Sequence, residues 1–274
     1  MILPARRVEG TLPAILHSLE PHHESGLIDE LIVMLHSPGD ETEKVARSSG
    51  ATVHLRDEVL PGFGPSLGKG DALWRGTSVA SGDIVVFFDT DTRNFGDHFL
   101  LGMLAPLFEE PEVQFVKGSF HRPLHLGDTA LGEEGGRVTE LMARPLLNLF
   151  APELTGFVQP LAGEIAARRE LLRSIPFAAG YGVEIAMLLD ACKSVGVDAL
   201  AQADLESRID SNQPLRRLTA MSYAVLVAVA DRFSLTTHNE LHLARAGETE
   251  RQSVVIEERP PLATLGKDAP IRRS

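Results

Sequence analysis

Short apolar runs recur along the first half of the chain, and stretches with helical spacing separate them. Leu31-Ile32-Val33-Met34-Leu35, Thr52–Leu55, Ile84-Val85-Val86-Phe87-Phe88 and Val113–Lys117 read as strands, and the third is the strongest. Glu41–Ser49, Gly70–Ala80 and Phe95–Phe108 carry the helix pattern between them. A strand such as Ile84–Phe88 is apolar on both faces, so both must be covered. The alternation predicts an α/β fold: a mostly parallel, Rossmann-like sheet with helices on both faces.

The second half changes character. His121–Gly136 has little apolar periodicity and reads as a long loop, a kind of segment that is usually functional or mobile. Val138–Phe150 is expected to be helix, Gly163–Ala167 strand, Gly182–Ser194 helix and Ala199–Ala203 strand. Asn212-Gln213-Pro214 then starts a longer helix, Leu215–Phe233. Polar residues dominate from Ser234, and Arg259-Pro260-Pro261 to Ser274 reads as a loosely ordered tail. Met1-Ile2-Leu3 before Pro4 looks like the last half of a strand, as in a truncated or naturally short chain.

Composition narrows the function classes. The 274 residues carry a formal charge of −12, so the chain is not expected to bind nucleic acid by charge. The longest unbroken apolar stretch, Tyr223–Ala230, is far short of a membrane span, and the start has no signal-peptide layout. One cysteine, Cys192, rules out an internal disulfide and a cysteine-rich zinc site. These features predict a cytoplasmic globular protein without a membrane partner.

Four motifs can carry chemistry. Asp89-Thr90-Asp91 follows the strongest strand, and ligands of open α/β sheets bind at the carboxyl ends of strands. Two carboxylates at i and i+2 there can hold a hard divalent cation and the diphosphate bound to it; otherwise they are solvated loop residues. Gly68-Lys69-Gly70-Asp71-Ala72-Leu73-Trp74 fails the Walker pattern, because Gly64 to Gly68 is one residue too short and Gly70 replaces the Ser or Thr. Lys69 can still reach a phosphate or a uracil-type ring, or else lie on a surface turn. Gly135-Gly136-Arg137-Val138-Thr139-Glu140 can form an anion site from free backbone N–H groups, with Arg137 as a bidentate clamp and Thr139 as a hydroxyl donor. The plain alternative is a glycine-containing helix entry. Glu184, in Gly182-Val183-Glu184-Ile185, can orient a hydroxyl or act as a base, or simply complement a helix dipole.

In this order, these pieces resemble the glucosyl-3-phosphoglycerate synthase family, retaining GT-A (nucleotide-diphospho-sugar transferase) glycosyltransferases grouped with mannosyl-3-phosphoglycerate synthases. The resemblance runs from about Leu3 to about Phe233. It is carried by Gly68–Trp74, Ser81–Phe87, Gly136–Leu141, Ala143–Leu147, Gln159-Pro160-Leu161 and Tyr181–Ile185. It implies a single GT-A domain over 1–235, with a nucleotide-sugar half at 1–120, an acceptor half at 121–235, and a partly disordered extension at 236–274. It implies Mg2+ or Mn2+ held by Asp91, the more direct ligand, with Asp89 and Asp210. Pro4, Ala5, Ser37, Lys69, Asp89, Thr90, Gln159 and Leu161 would bind the donor. Gly136, Arg137, Val138, Thr139 and Asn212 would bind the acceptor. Asp91 and Glu184 would be catalytic, with Glu184 beside the reacting hydroxyl. The implied reaction moves a hexose from a nucleotide sugar, UDP-glucose favoured, to 3-phosphoglycerate, and the implied assembly is a homodimer.

The sequence departs from the family pattern at three places. Pro4-Ala5-Arg6-Arg7-Val8 stands for Pro-Ala-Leu-Asn-Glu, and His36-Ser37-Pro38-Gly39 for Asp-Ser-Gly-Ser, both at the nucleoside. Asp210 stands for a metal-ligating histidine, either as a hard ligand in its place or outside the metal shell. Alternatives are therefore a relative with a changed donor such as GDP-mannose or a changed acceptor, or a degenerate sugar-nucleotide-binding member.

Overall fold

The computed structural model describes residues 1–39, 41–121, 124–126, 129–131, 136–209, 215–235, 242–244, 247, 252–255 and 257–266. The strands in the first half are β1 (Ile2–Ala5), β2 (Ile32–Leu35), β3 (Thr52–Leu55), β4 (Ile84–Phe87) and β5 (Phe115–His121). Between them lie α1 (Leu12–Glu24), α2 (Glu41–Ser48), α3 (Lys69–Val79) and α4 (Asp97–Glu109). A hairpin, β6 (Leu124–Leu126) with β7 (Thr129–Leu131), follows. Then come α5 (Arg144–Phe150), β8 (Ile165–Arg168), α6 (Arg169–Ser174), β9 (Phe177–Ala178), α7 (Val183–Val195), β10 (Leu200–Ser207) and α8 (Leu215–Arg232). Among the described residues three two-residue strands follow: β11 (His242–Leu243), β12 (Gln252–Ser253) and β13 (Glu258–Arg259).

Among the described residues the main sheet has seven strands in the order β10-β5-β8-β4-β1-β2-β3. All run parallel except β8, which is antiparallel to both neighbours. The period-2 alternation of each strand divides the core. Ile2, Ile32, Met34, Val85, Phe87, Phe115 and Ile165 face α3, α5, α6, α7 and α8. Leu3, Val33, Leu35, Val86, Val116 and Ala166 face α1, α2 and α4. Phe99, Leu100, Met103, Leu104 and Leu107 of α4 repeat at helical spacing and are buried, which fixes the inner face of that helix. The α/β sheet anticipated from the sequence is therefore present, with β8 as its one reversed strand.

Four local features differ from the sequence reading. The helix α1, with Pro21 inside it, was not anticipated. The long loop after His121 contains the β6–β7 hairpin. The helix expected from Val138 begins as a π-helical turn, Thr139–Ala143, before α5. Arg259–Leu265 is not a loose tail: β13 pairs with β9, Leu262 is buried, and the Trp74 indole N–H donates to the Pro260 carbonyl at 2.8 Å. Buried Arg259 reaches both carboxylate oxygens of Asp71, at 2.9 and 2.7 Å, which ties this segment to the first turn of α3. No helix among the described residues is long and apolar enough to cross a membrane.

Candidate active site

The carboxyl ends of the parallel strands deliver the predicted residues to one rim. Pro4 and Ala5 end β1, Ser37 follows β2, and Asp89-Thr90-Asp91 follow β4. Thr90 laces two of these ends together. Its hydroxyl donates to the Pro4 carbonyl at 2.7 Å, and its own carbonyl accepts from the Thr11 hydroxyl at 2.5 Å. Across the rim, Lys69 opens α3 and Glu184 sits in the first turn of α7. The Lys69 ammonium contacts Asp89 directly and lies 2.7 Å from Glu184. Three residues spread over 115 positions of sequence thus form one charged chain, Asp89–Lys69–Glu184.

Three residues that the sequence reading passed over complete the cluster. Arg208, just past β10, binds Asp89 at 3.2 Å, Asp91 at 2.8 Å and Glu164 at 2.8 Å. Glu164 precedes β8, is 1% exposed, and its second oxygen has no hydrogen-bond partner among the described residues. Lys117 of β5 is fully buried and donates to the Glu184 carbonyl at 3.3 Å. Beside them, a Cβ on Gly163 would fall on the Asp89 carboxylate, so only glycine permits this approach.

The electrostatics follow from this alternation. Burial opposes the charge on Lys69, but Asp89 and Glu184 outweigh it and hold the ammonium well above its usual pKa. Burial also opposes ionisation of Asp89, yet Lys69 and Arg208 pull that carboxyl well below the ordinary range. Burial pushes Lys117 down to about 7, against the attraction of Glu184. Burial raises Glu164, with Arg208 acting in the opposite sense. Lys69 and Asp89 are thus fixed as charged groups, one to meet an anion and the other a cation.

Beyond β1 and β2 the rim opens into a cleft of about 400 Å³ lined by Arg6, Arg7, Glu9, His36, Ser37 and Glu41. Buried Arg56 donates to the Met34 and Ala5 carbonyls, at 3.4 and 3.3 Å, at the ends of β2 and β1. Burial lowers the pKa of His36, and Arg56 and Arg6 add to the effect. Two arginines, Arg6 and Arg7, thus line the cleft together with two glutamates, Glu9 and Glu41.

The segment expected to bind the acceptor also reaches the rim. Gly136 has φ +78°, and Gln159 and Thr139 flank it. The Gln159 amide donates to the Phe120 carbonyl at 3.3 Å, and the Phe120 ring lies under the Arg208 guanidinium at 5.4 Å. Arg137 is half-buried, and Thr139 is buried at the π turn. Val138 and Leu161 pack into or against the hydrophobic core, so their side chains serve packing. Asp210 and Asn212 lie outside the described residues.

No protein-family model matches the chain. Curated relatives do. Glucosyl-3-phosphoglycerate synthase of Mycobacterium tuberculosis is 46% identical over 235 residues, covering 85% of this chain and 72% of the relative. The Mycolicibacterium smegmatis enzyme of that name is 40% identical over 270 residues, covering 97% and 89%. The chain belongs to the glucosyl-3-phosphoglycerate synthase family. The fold agrees: the M. tuberculosis enzyme, solved with Mn2+, uridine-diphosphate-glucose and phosphoglyceric acid, superposes with TM-score 0.85 at 41% identity, covering 96% of this chain and 89% of that one. Mannosyl-3-phosphoglycerate synthase of Rubrobacter xylanophilus superposes with TM-score 0.83 at 42% identity, covering 96% and 88%. The GT-A expectation is met, and the protein is a glycosyltransferase of this family.

The family implies a divalent cation. The described residues show no group of three or more His, Cys, Asp or Glu side chains around one point. They do supply Asp89 and Asp91, two hard carboxylates at a strand end, the second 59% exposed. Mg2+ commonly takes one or two carboxylates and completes its shell with water and substrate phosphate. The residues present fit such an ion.

Proposed function

We propose that this glycosyltransferase moves glucose, with retention, from UDP-glucose to 3-phosphoglycerate. The observation that carries this reading is the Asp89–Lys69–Glu184 chain at the carboxyl edge of the sheet, beside an arginine-lined cleft. Pro4, Ala5, Ser37 and Thr90 line the nucleoside side, and Lys69 meets the diphosphate. Asp91 and Asp89 would hold Mg2+ or Mn2+, which supplies charge neutralisation to the departing diphosphate. Gln159 and the Leu161 backbone border the sugar. Gly136, Arg137 and Thr139 hold the acceptor phosphate or carboxylate, and Glu184 orients the free hydroxyl. The anomeric carbon–diphosphate bond breaks, the acceptor oxygen bonds to that carbon on the same face, and its proton passes to the leaving diphosphate. A homodimer and a cytoplasmic location belong to the same reading; exposed Leu141 in the π turn and Leu149 on α5 support the former.

A second reading, a donor with another base, is favoured by Arg6 and Arg7 in the cleft. Both readings are tested by turnover with Mg2+ or Mn2+, with UDP-glucose and GDP-mannose in separate reactions. UDP release should require 3-phosphoglycerate. Arg137→Ala should raise the acceptor KM by about 10–100-fold, the loss of a charged hydrogen-bonded contact, and leave donor affinity unchanged. Preference for GDP-mannose would shift the reading to the second donor. Full activity of the variant at low acceptor would remove Arg137 from the site.

A further inference from the structure

Lys117 has no part in the reaction described above, yet it is a fully buried lysine inside the charged cluster. Its place on β5 explains how a lysine comes to be there. Phe115 and Lys117 lie two residues apart, so both point to the same side of the sheet, where α7 packs. The Phe115 ring fills the core, and the lysine stem runs on toward the rim and ends under the first turn of α7. There it donates to the Glu184 carbonyl, the backbone of the residue whose carboxylate is ion-paired with Lys69.

We propose that Lys117 is a positioning residue for Glu184, anchoring the first turn of α7 to the sheet so that the carboxylate meets Lys69. The proposal deepens the functional reading above and rests on it for the role of Glu184. The chain enters α7 through Gly180 and Gly182, two residues with no side chain of their own to orient the backbone carbonyls of the turn. Gly182 is pressed against the Ala224 carbonyl and the Ala228 side chain, and Gly180 against Val255; Val183 and Ile185 pack into the core beneath the turn, and Lys117 adds a polar tie from the sheet. Methionine, apolar and of similar length, fills the same buried space and removes the hydrogen bond to the Glu184 carbonyl.

The test is a double-mutant cycle on the full chain: wild type, Lys117→Met, Glu184→Gln and both together. Lys117→Met is expected to lower kcat about tenfold or more, change both KM values less than about threefold, and leave the melting temperature unchanged or higher. In the Glu184→Gln background it should cost nothing further. Unchanged kcat overturns the proposal. So does an equal loss in both backgrounds together with a lowered melting temperature, because that is the mark of a purely structural lysine. Amide exchange across the first turn of α7 is the readout that does not depend on turnover. It should quicken in Lys117→Met, and unchanged exchange overturns the anchor. A wild-type protein inactive with every donor removes the functional reading, while the exchange result still decides on Lys117.

Discussion

Replacing Arg208 by methionine should lower turnover about a hundredfold and the melting temperature by about 10 °C. Arg208 is 3% exposed and binds Asp89, Asp91 and Glu164 at once. Removing one partner of a buried ion pair typically costs about 3–5 kcal/mol, because the other charge is left in low dielectric. In a domain of this size each kcal/mol moves the midpoint by about 2–4 °C. The kinetic loss follows from geometry, since a displacement of about 1 Å at a reacting centre can cost about a hundredfold. Adding Glu164→Gln should restore most of the stability and little of the turnover, because it removes the stranded carboxylate but not the misplacement of Asp89 and Asp91. Calorimetry and steady-state kinetics separate the two effects. If Arg208→Met melts with the wild type, Arg208 is not the centre of this cluster.

Asp71→Ala should destabilise the protein at least as much. Its carboxylate is fully buried and accepts from Arg75 at 3.0 Å, from Arg259 at 2.9 and 2.7 Å and from the Leu67 amide at 2.9 Å. Two buried guanidinium groups lose their counter-charge together, so about 4 kcal/mol or more is expected. Asp71 also lies in the first turn of the helix that Lys69 opens, so activity should fall with stability. Burial alone would raise the Asp71 pKa, but Arg259, the Leu67 amide and Arg75 hold it below its usual value. A depressed carboxylate contributes stability above the unfolded pKa of about 3.9 and loses it as pH falls through its folded pKa. The wild type should therefore lose stability steeply below about pH 4, and Asp71→Asn should lack that loss. Matching acid transitions in the two proteins would refute this assignment.

The sheet was legible because its strands are short, apolar and regularly interrupted. Thr52–Leu55 matches its strand, and Ile84–Phe87 lies within the run chosen for it. Asp89, Lys69 and Glu184 were legible because each sits at a strand end or a helix start, where local sequence points to function. Lys117 and Arg208 were not, because their roles depend on contacts 67 and 117 residues away. A signal for Lys117 did exist: it keeps the inward parity of Phe115 in a strand read as buried, and a charge there needs a reason. The docking of Arg259 on Asp71, 188 residues apart, left no comparable trace. Flanked by prolines and polar residues, that segment has the composition of a tail, and a distant buried carboxylate orders it. The hairpin after His121 was hidden because its strands are only three residues long.

The reversed strand β8 acts as a spacer. It pairs with β4 on one side and β5 on the other, so those two parallel strands never touch. With about 4.8 Å between neighbours, β4 and β5 are held about 10 Å apart by backbone hydrogen bonds. Asp89 and Asp91 hang from one bank of that interval and Lys117 from the other, with Gly163 and Glu164 at the start of the spacer between them. The width of the candidate site is therefore a property of the hydrogen-bonded ladder, fixed in whole strands, and loops on the rim can vary without changing it.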